Sequence, residues 1–272
     1  MTTAGLLLVG CGKMGSAMLA GWCAAPDTPR PIAIVEPMPA PGAVPDGQPD
    51  IICVATRDAL PPGFRPEVVV LATKPQVMDG VVPGYAGLGG PETLFVSVAA
   101  GRTLAYFARH LGAGAAIVRT MPNTPAQVGR GITVCCANAA VSPAQRALAG
   151  RLMGAVGEVG WVEDEGLIDA VTAVSGSGPA YAFLLAECMA EAGREAGLPA
   201  DLAMRLARAT VAGAGELLHR ATESAGQLRR NVTSPNGTTA AALEVLMAPD
   251  GMQPLMSRAV AAAARRSREL AG

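Results

Sequence analysis

Leu6-Leu7-Leu8-Val9-Gly10-Cys11-Gly12-Lys13-Met14-Gly15 is a short apolar run that empties into three glycines spaced G-x-G-x-x-G, and a helical pattern follows from Ser16 to about Ala25. Strand, glycine turn and helix in that order predict a dinucleotide site. The glycines let the backbone approach a pyrophosphate, whose charge rests on the helix N-terminus. The spacing alone is weak evidence, because a glycine turn can bind nothing; its place between a strand and a helix gives it weight. The expected contacts are Gly10, Cys11, Gly12, Lys13, Met14 and Gly15.

Outward from this stretch, Ile32 to Val35 reads as a second strand closed by Glu36. A carboxylate there can accept hydrogen bonds from the adenosine ribose and repels a 2′-phosphate, which favours NADH over NADPH. The plain alternative is a solvent-facing strand-end acid, and Pro37, Pro39, Pro41 and Pro45 make the next loop irregular. Further strands are expected at Ile51 to Ala55, Glu67 to Ala72, Leu94 to Val98, Ala115 to Arg119 and Ile132 to Ala137. Helices are expected near Gln76 to Tyr85, Leu104 to His110 and Pro143 to Gly154. Such alternation predicts an α/β Rossmann-type fold: a doubly wound, mainly parallel sheet over residues 1–163, covered on both faces. Ligands on such sheets lie across the carboxyl ends of the strands. Three loops stand there: Ala72-Thr73-Lys74-Pro75, Ala99-Ala100-Gly101 and Met121-Pro122-Asn123-Thr124-Pro125.

After Trp161 to Glu165 the texture changes, and residues 164–272 read as a separate all-α domain with helices at Leu167 to Val174, Pro179 to Ala196, Ala200 to Ala221, Gly237 to Met247 and Met252 to Leu270. The alanine-rich, weakly charged helices carry more apolar surface than a two-helix contact hides, so they are expected to pack against a second copy. Two turns, Ser175-Gly176-Ser177-Gly178-Pro179 and Asn231 to Thr239, are expected to offer free N–H groups and hydroxyls at a helix start, where a carboxylate can sit; ordinary capping explains the same residues.

Composition narrows the partners. The 272 residues are half apolar with a net charge of −1 and few aromatics, which argues against nucleic acid. No run reaches the ~18–20 apolar residues of a membrane helix. Met1 to Val9 lacks a basic stretch, so it reads as a strand rather than a signal peptide, and a cytoplasmic location is the default. Six cysteines without C-x-x-C spacing read as reduced packing residues, and no metal site is expected. Lys13 and Lys74 are the only lysines, and His110 and His219 read as surface or helix-end residues.

Met121-Pro122-Asn123-Thr124-Pro125, the run Ser175 to Phe183 and the stretch Thr233 to Thr239 together resemble the pyrroline-5-carboxylate reductase family, over nearly the whole chain. The resemblance implies a Rossmann domain followed by a helical dimerisation domain, a homodimer or larger assembly, and the NAD(P)H-dependent reduction of 1-pyrroline-5-carboxylate to L-proline, the final step of proline biosynthesis. It further implies that Asn231 touches the cofactor, that Thr238 and Thr239 contact substrate, and that Glu165 lies nearby. On this reading the substrate carboxylate rests on N–H groups of Gly237 to Thr239 and of Ser177 to Gly178, beside Ser175 and Gly176.

Two departures from the family pattern stand out. Asn236-Gly237 replaces the usual Gly-Gly, and asparagine is expected to keep the turn because it tolerates left-handed backbone. Glu36 replaces the small or basic residues of NADPH-preferring members. The resemblance casts Thr239 as proton donor, yet an aliphatic hydroxyl is far too weak an acid near neutral pH. The expectation is therefore that the imine arrives protonated and that Thr239 orients it. Among alternatives, a β-hydroxyacid dehydrogenase needs a lysine in its helical part, and none follows Lys74. A reductase of a related cyclic imine differs by as little as one methylene, and a non-catalytic dinucleotide scaffold would bind without turnover.

Overall fold

A computed structural model describes residues 4–45, 47–88, 90 and 92–271; residues 1–3 of the Met1–Val9 stretch and Gly272 of the helical part lie outside these. Contacts divide the chain into two compact units. The first runs to Gly176 and takes in the chain from Ala264 onward, and the second spans Ser177–Ala263.

The first unit is built on β1 (Ala4–Val9), β2 (Ile32–Val35), β3 (Ile51–Val54), β4 (Arg65–Leu71), β5 (Leu94–Ser97), β6 (Ala116–Met121), β7 (Gly131–Ala137) and β8 (Gly157–Trp161). They form one sheet in the order β3-β2-β1-β4-β5-β6-β7-β8. All pairings from β3 across to β6 are parallel, as the alternation of strands and helices predicts. β7 runs antiparallel to β6, because the short link from Met121 to Gly131 holds only a 3₁₀ turn, Thr124–Val128, and a parallel return needs a crossover of a dozen residues or more.

β8 was not expected as a strand; it pairs parallel with β7. Gly157 opens it at φ +148, and a Cβ there would fall on the carbonyl oxygen of Gly131. A residue chosen for close backbone approach carries no hydrophobic signal.

Side chains alternate between two cores, as a period of two requires. Leu6, Leu8, Ile32, Ile34, Val68 and Val70 pack on one face with Met18, Leu19 and Trp22 of α1 (Lys13–Ala24). Leu7, Val9, Ala33, Val69 and Leu71 pack on the other, with Met78 of α2 (Met78–Val81) and Phe107 of α3 (Leu104–Leu111). The expected helix from Gln76 to Tyr85 is instead a succession of 3₁₀, α and 3₁₀ turns, in keeping with Pro83, which lacks the N–H a continuous helix needs. α4 (Pro143–Gly154) begins where the sequence says it should, with a capping box between Ser142 and Gln145. Trp22 is fully buried and its indole Nε1 donates to the Leu152 carbonyl (2.8 Å), so truncation to alanine would cost about 3–5 kcal/mol.

The contacts of this unit run on through α5 (Ile168–Val171) to Gly176. Glu165 bonds to Arg119 of β6, and Asp169 Oδ1 accepts a hydrogen bond from Ser267 Oγ (2.6 Å), which ties in the chain's end. The expected turn at Ser175 is a π-helical stretch, Thr172–Gly176, whose amides are engaged along the helix instead of standing free.

The second unit contains α6 (Gly178–Glu195), α7 (Ala200–Arg220), α8 (Ala225–Asn231), α9 (Thr238–Leu246) and the greater part of α10 (Met252–Ala271). α6 and α7 pack through small residues: a Cβ at Gly193 would already touch Leu198 and Ala203. α8 was missed; Ser224 caps it by accepting from Gln227 N, but seven residues are too few to show a helical period. Phe183, Leu184, Leu206, Leu217 and Leu218 remain well exposed, an apolar surface of the kind that marks an interface. No helix among the described residues is long and apolar enough to cross a membrane.

Candidate active site

The glycine turn has the geometry of a dinucleotide cradle. Gly10 sits at φ +89, and a Cβ there would lie 2.9 Å from the carbonyl of Ala72, so the turn presses on the next strand's end. A Cβ on Gly15 would stand 2.5 Å from the Gly10 carbonyl oxygen, which is how the helix gets so close to the strand. Gly12 faces open space, with nothing within 4 Å, and caps α1 with no side-chain bond to the first amides. Two glycines thus serve packing and one leaves room above a helix start. Thr73 Oγ1 is buried without a partner in the adjoining loop, an orphan of the kind a ligand satisfies. These features fit a dinucleotide.

Glu36 reaches the same turn. Its Oε2 accepts from Cys11 N (2.8 Å) and its Oε1 from Met38 N (3.1 Å). The Cys11 side chain is buried in the core, and burial first, then Cys53 and Glu36, push its thiol up to about 11. It is neutral at physiological pH and is no nucleophile. Lys13 is exposed at the first position of α1, and Met14 is partly buried against the core.

The remaining loops are braced by charges that the sequence reading overlooked. Arg102, just after Gly101, donates to the Pro75 carbonyl (2.7 Å) and lies over the Tyr106 ring at 4.5 Å, while Tyr106 OH donates to Asp79 (2.8 Å). Lys74-Pro75 and Ala99-Ala100-Gly101 are therefore joined. Burial, then the bond to Asp79, raises the Tyr106 phenol to about 12, so it keeps its proton for that bond. Ala99 is buried and its amide donates to Ser97 Oγ (3.2 Å). Met121 ends β6, and Pro122 and Asn123 follow it. The Asn123 carboxamide oxygen accepts from Ile132 N (3.0 Å); it pins the loop to β7, so any cofactor contact falls to its nitrogen or backbone. A Cβ at Gly176 would collide with the Met121 methyl, which brings the π-helical segment to this loop, and Ser175 Oγ is buried there without a partner.

Glu165 is engaged rather than open. Its Oε1 accepts from Arg119 Nη1 (2.7 Å) and from Leu104 N (2.8 Å). A lone arginine in the apolar strand Ala116–Met121 was a legible sign that a partner is required, although the partner's identity was not.

On the second unit, Ser234 to Gly237 form a turn closed by Gly237 N donating to the Ser234 carbonyl (3.0 Å), with Asn236 at φ 57 as expected of a left-handed asparagine. The Gly237 amide is therefore not available to a substrate, contrary to expectation. α9 starts at Thr238 with no side-chain cap, leaving the first-turn amides of Thr238 and Thr239 for a ligand. At the start of α6, Pro179 has no N–H and Ala180 N donates to the Ser177 carbonyl (3.0 Å), so Ser177-Gly178 is the poorer anion seat. Asn231 does not open the turn; it ends α8, and its side-chain oxygen accepts from Gln227 Nε2 (2.7 Å).

A family model described as pyrroline-5-carboxylate reductase dimerisation matches residues 165–270. A pyrroline-5-carboxylate reductase from Pseudomonas aeruginosa is 48% identical over 205 residues, 75% of each chain. A solved pyrroline-5-carboxylate reductase from Coxiella burnetii is 33% identical and superimposes at a TM-score of 0.85 over 99% of both chains. The Plasmodium falciparum pyrroline carboxylate reductase, solved with NADP bound, is 26% identical, with a TM-score of 0.80 over all of both chains. Sequence and fold agree along the whole length, and the chain belongs to the pyrroline-5-carboxylate reductase family.

Proposed function

We propose that NADH, in preference to NADPH, is the hydride donor with which this chain, a pyrroline-5-carboxylate reductase, reduces 1-pyrroline-5-carboxylate to L-proline. The observation that carries the preference is the Glu36 carboxylate held against the glycine turn through Cys11 N at 2.8 Å. At that position it accepts from the ribose hydroxyls. A 2′-phosphate ~5 Å away would meet a repulsion of about 3 kcal/mol per pair of charges at an effective dielectric of ~20. That exceeds a typical single hydrogen bond, about 1 kcal/mol, so the charge decides. The NADP in the Plasmodium falciparum protein belongs to that chain and leaves the preference here to Glu36.

The coenzyme supplies the hydride for the imine carbon; this chain's residues bind, orient and exclude. The substrate carboxylate rests on the uncapped amides of Thr238 and Thr239, where the start of α9 adds its positive end. The imine arrives protonated, and the Thr239 hydroxyl holds it in register. kcat/KM measured with both coenzymes tests the preference: with that repulsion reduced by solvent screening at the part-exposed carboxylate, NADH is expected to be favoured by about 10- to 100-fold, and Glu36→Ser to erase most of that ratio. A wild-type preference for NADPH overturns the assignment.

A further inference from the structure

Arg119 is 4% exposed, in a strand flanked by β5 and β7. Removing a guanidinium from water is expensive, and replacing a largely buried ion pair by apolar residues of similar size is often neutral or stabilising. Stability therefore does not explain the pair; what it joins does. A single oxygen, Glu165 Oε1, accepts from Arg119 Nη1 (2.7 Å) and from Leu104 N (2.8 Å). Arg119 stands two residues before Met121, and Leu104 is the first residue of the helix that follows Gly101. Glu165 opens the 3₁₀ turn Glu165–Leu167 that leads towards Ser175. Three chain segments converge on one atom, and two of them carry the loops at the carboxyl ends of β5 and β6.

We propose that Arg119 and Glu165 form one positioning unit that fixes the Ala99–Gly101 and Met121–Pro125 loops against the nicotinamide half of the coenzyme, and that Glu165 acts through Arg119 and the Leu104 amide without touching the substrate. This rests on the reductase reading above. A carboxylate already engaged by a buried guanidinium and a helix-start amide has its orientation set from behind. Loop placement is also where a small displacement costs most, since hydride transfer needs reacting atoms in a near-attack arrangement.

The test uses full-length Arg119→Met, Glu165→Gln, the double variant and Arg119→Lys. Steady-state kinetics at saturating NADH are compared with hydrogen exchange of the peptide around residues 98–106 in the coenzyme-free protein. The expected result is a fall in kcat of about 10- to 100-fold in each single variant, no further fall in the double, and KM for the imino acid within about threefold, because two members of one unit do not add. Exchange at Leu104 rises in Glu165→Gln, because a neutral amide oxygen accepts more weakly than a carboxylate, while peptides of β1 and α1 are unchanged, and Arg119→Lys recovers part of kcat. Should Arg119→Met fail to fold, Arg119→Lys and Glu165→Gln give the same comparison.

A Glu165→Gln variant that raises KM with kcat intact, and whose effect adds to that of Arg119→Met, overturns the proposal in favour of direct substrate contact. Variants that lose only thermal stability overturn it in favour of a structural pair. Absence of turnover in the wild type would sink the reductase reading instead, and the exchange measurement would still judge the bracing of Leu104.

Discussion

Replacing Gly12 by serine separates the free protein's stability from its affinity for coenzyme. Gly12 is the N-cap of α1 at φ −71 and ψ −163, backbone that serine adopts freely, and nothing lies within 4 Å of the position its Cβ would take. Serine is a better cap than glycine by a few tenths of a kcal/mol, because its hydroxyl accepts from an amide two or three residues on. The coenzyme-free protein should therefore unfold at the same urea concentration as wild type or slightly higher.

Binding should move the other way. The hydroxyl engages an amide that the pyrophosphate needs, a loss of about 1.5–3 kcal/mol for a bond to a charged group. The added atoms occupy the space above the helix start, an overpacking cost of about 1–3 kcal/mol. Together these come to about 2.5–6 kcal/mol, or a rise in Kd of about 10²- to 10⁴-fold. Urea unfolding and fluorescence titration of NADH measure the two quantities on one preparation. Gly15→Ala provides the contrast: its Cβ would press 2.5 Å from a backbone oxygen that has no side chain to yield, so stability and affinity fall together. A Gly12→Ser protein that binds NADH within about threefold of wild type would refute the claim that this opening receives the pyrophosphate.

Thr239→Val should lower kcat by about 10- to 100-fold, a loss of roughly 1.4–2.7 kcal/mol, whereas a loss beyond about ten-thousandfold would identify the hydroxyl as a true acid. The buried Cys11 thiol, raised from 9.0 to about 11, keeps its proton in the folded state after the unfolded chain has lost it. Stability in urea should therefore fall as pH rises from about 9 towards 11, and Cys11→Ala should flatten that slope; an unchanged slope would show that burial of the thiol is not the cause. The exposed apolar face of α6 and α7, with a groove of about 460 Å³ between Phe183 and Met204, predicts a dimer or larger species by light scattering at micromolar concentration, and a monomer would contradict it.

What the sequence made legible follows from how local each signal is. The inner strands β1, β2, β4, β5 and β6 announce themselves because central parallel strands are apolar on both faces, and the capping box at Ser142 marks its helix within four residues. Signals that depend on a distant partner do not name it: Gly157 opens β8 only because Gly131 lies against it, and Arg119 finds Glu165 46 positions later. The site shows the same division inside one class of motif. Ser177-Gly178-Pro179 and Ser234-Pro235-Asn236-Gly237 both combine Ser, Gly and Pro ahead of a helix, and the sequence presents both as anion seats. They diverge on which amides are already engaged. Pro179 removes one donor by its own chemistry, which the sequence states outright, but the bond from Ala180 to Ser177 and the bond from Gly237 to Ser234 exist only once the turns have closed. A helix start attracts an acid group only through donors left over by its own turn, so the number of uncommitted N–H groups, not the presence of Ser, Gly and Pro, favours α9 over α6.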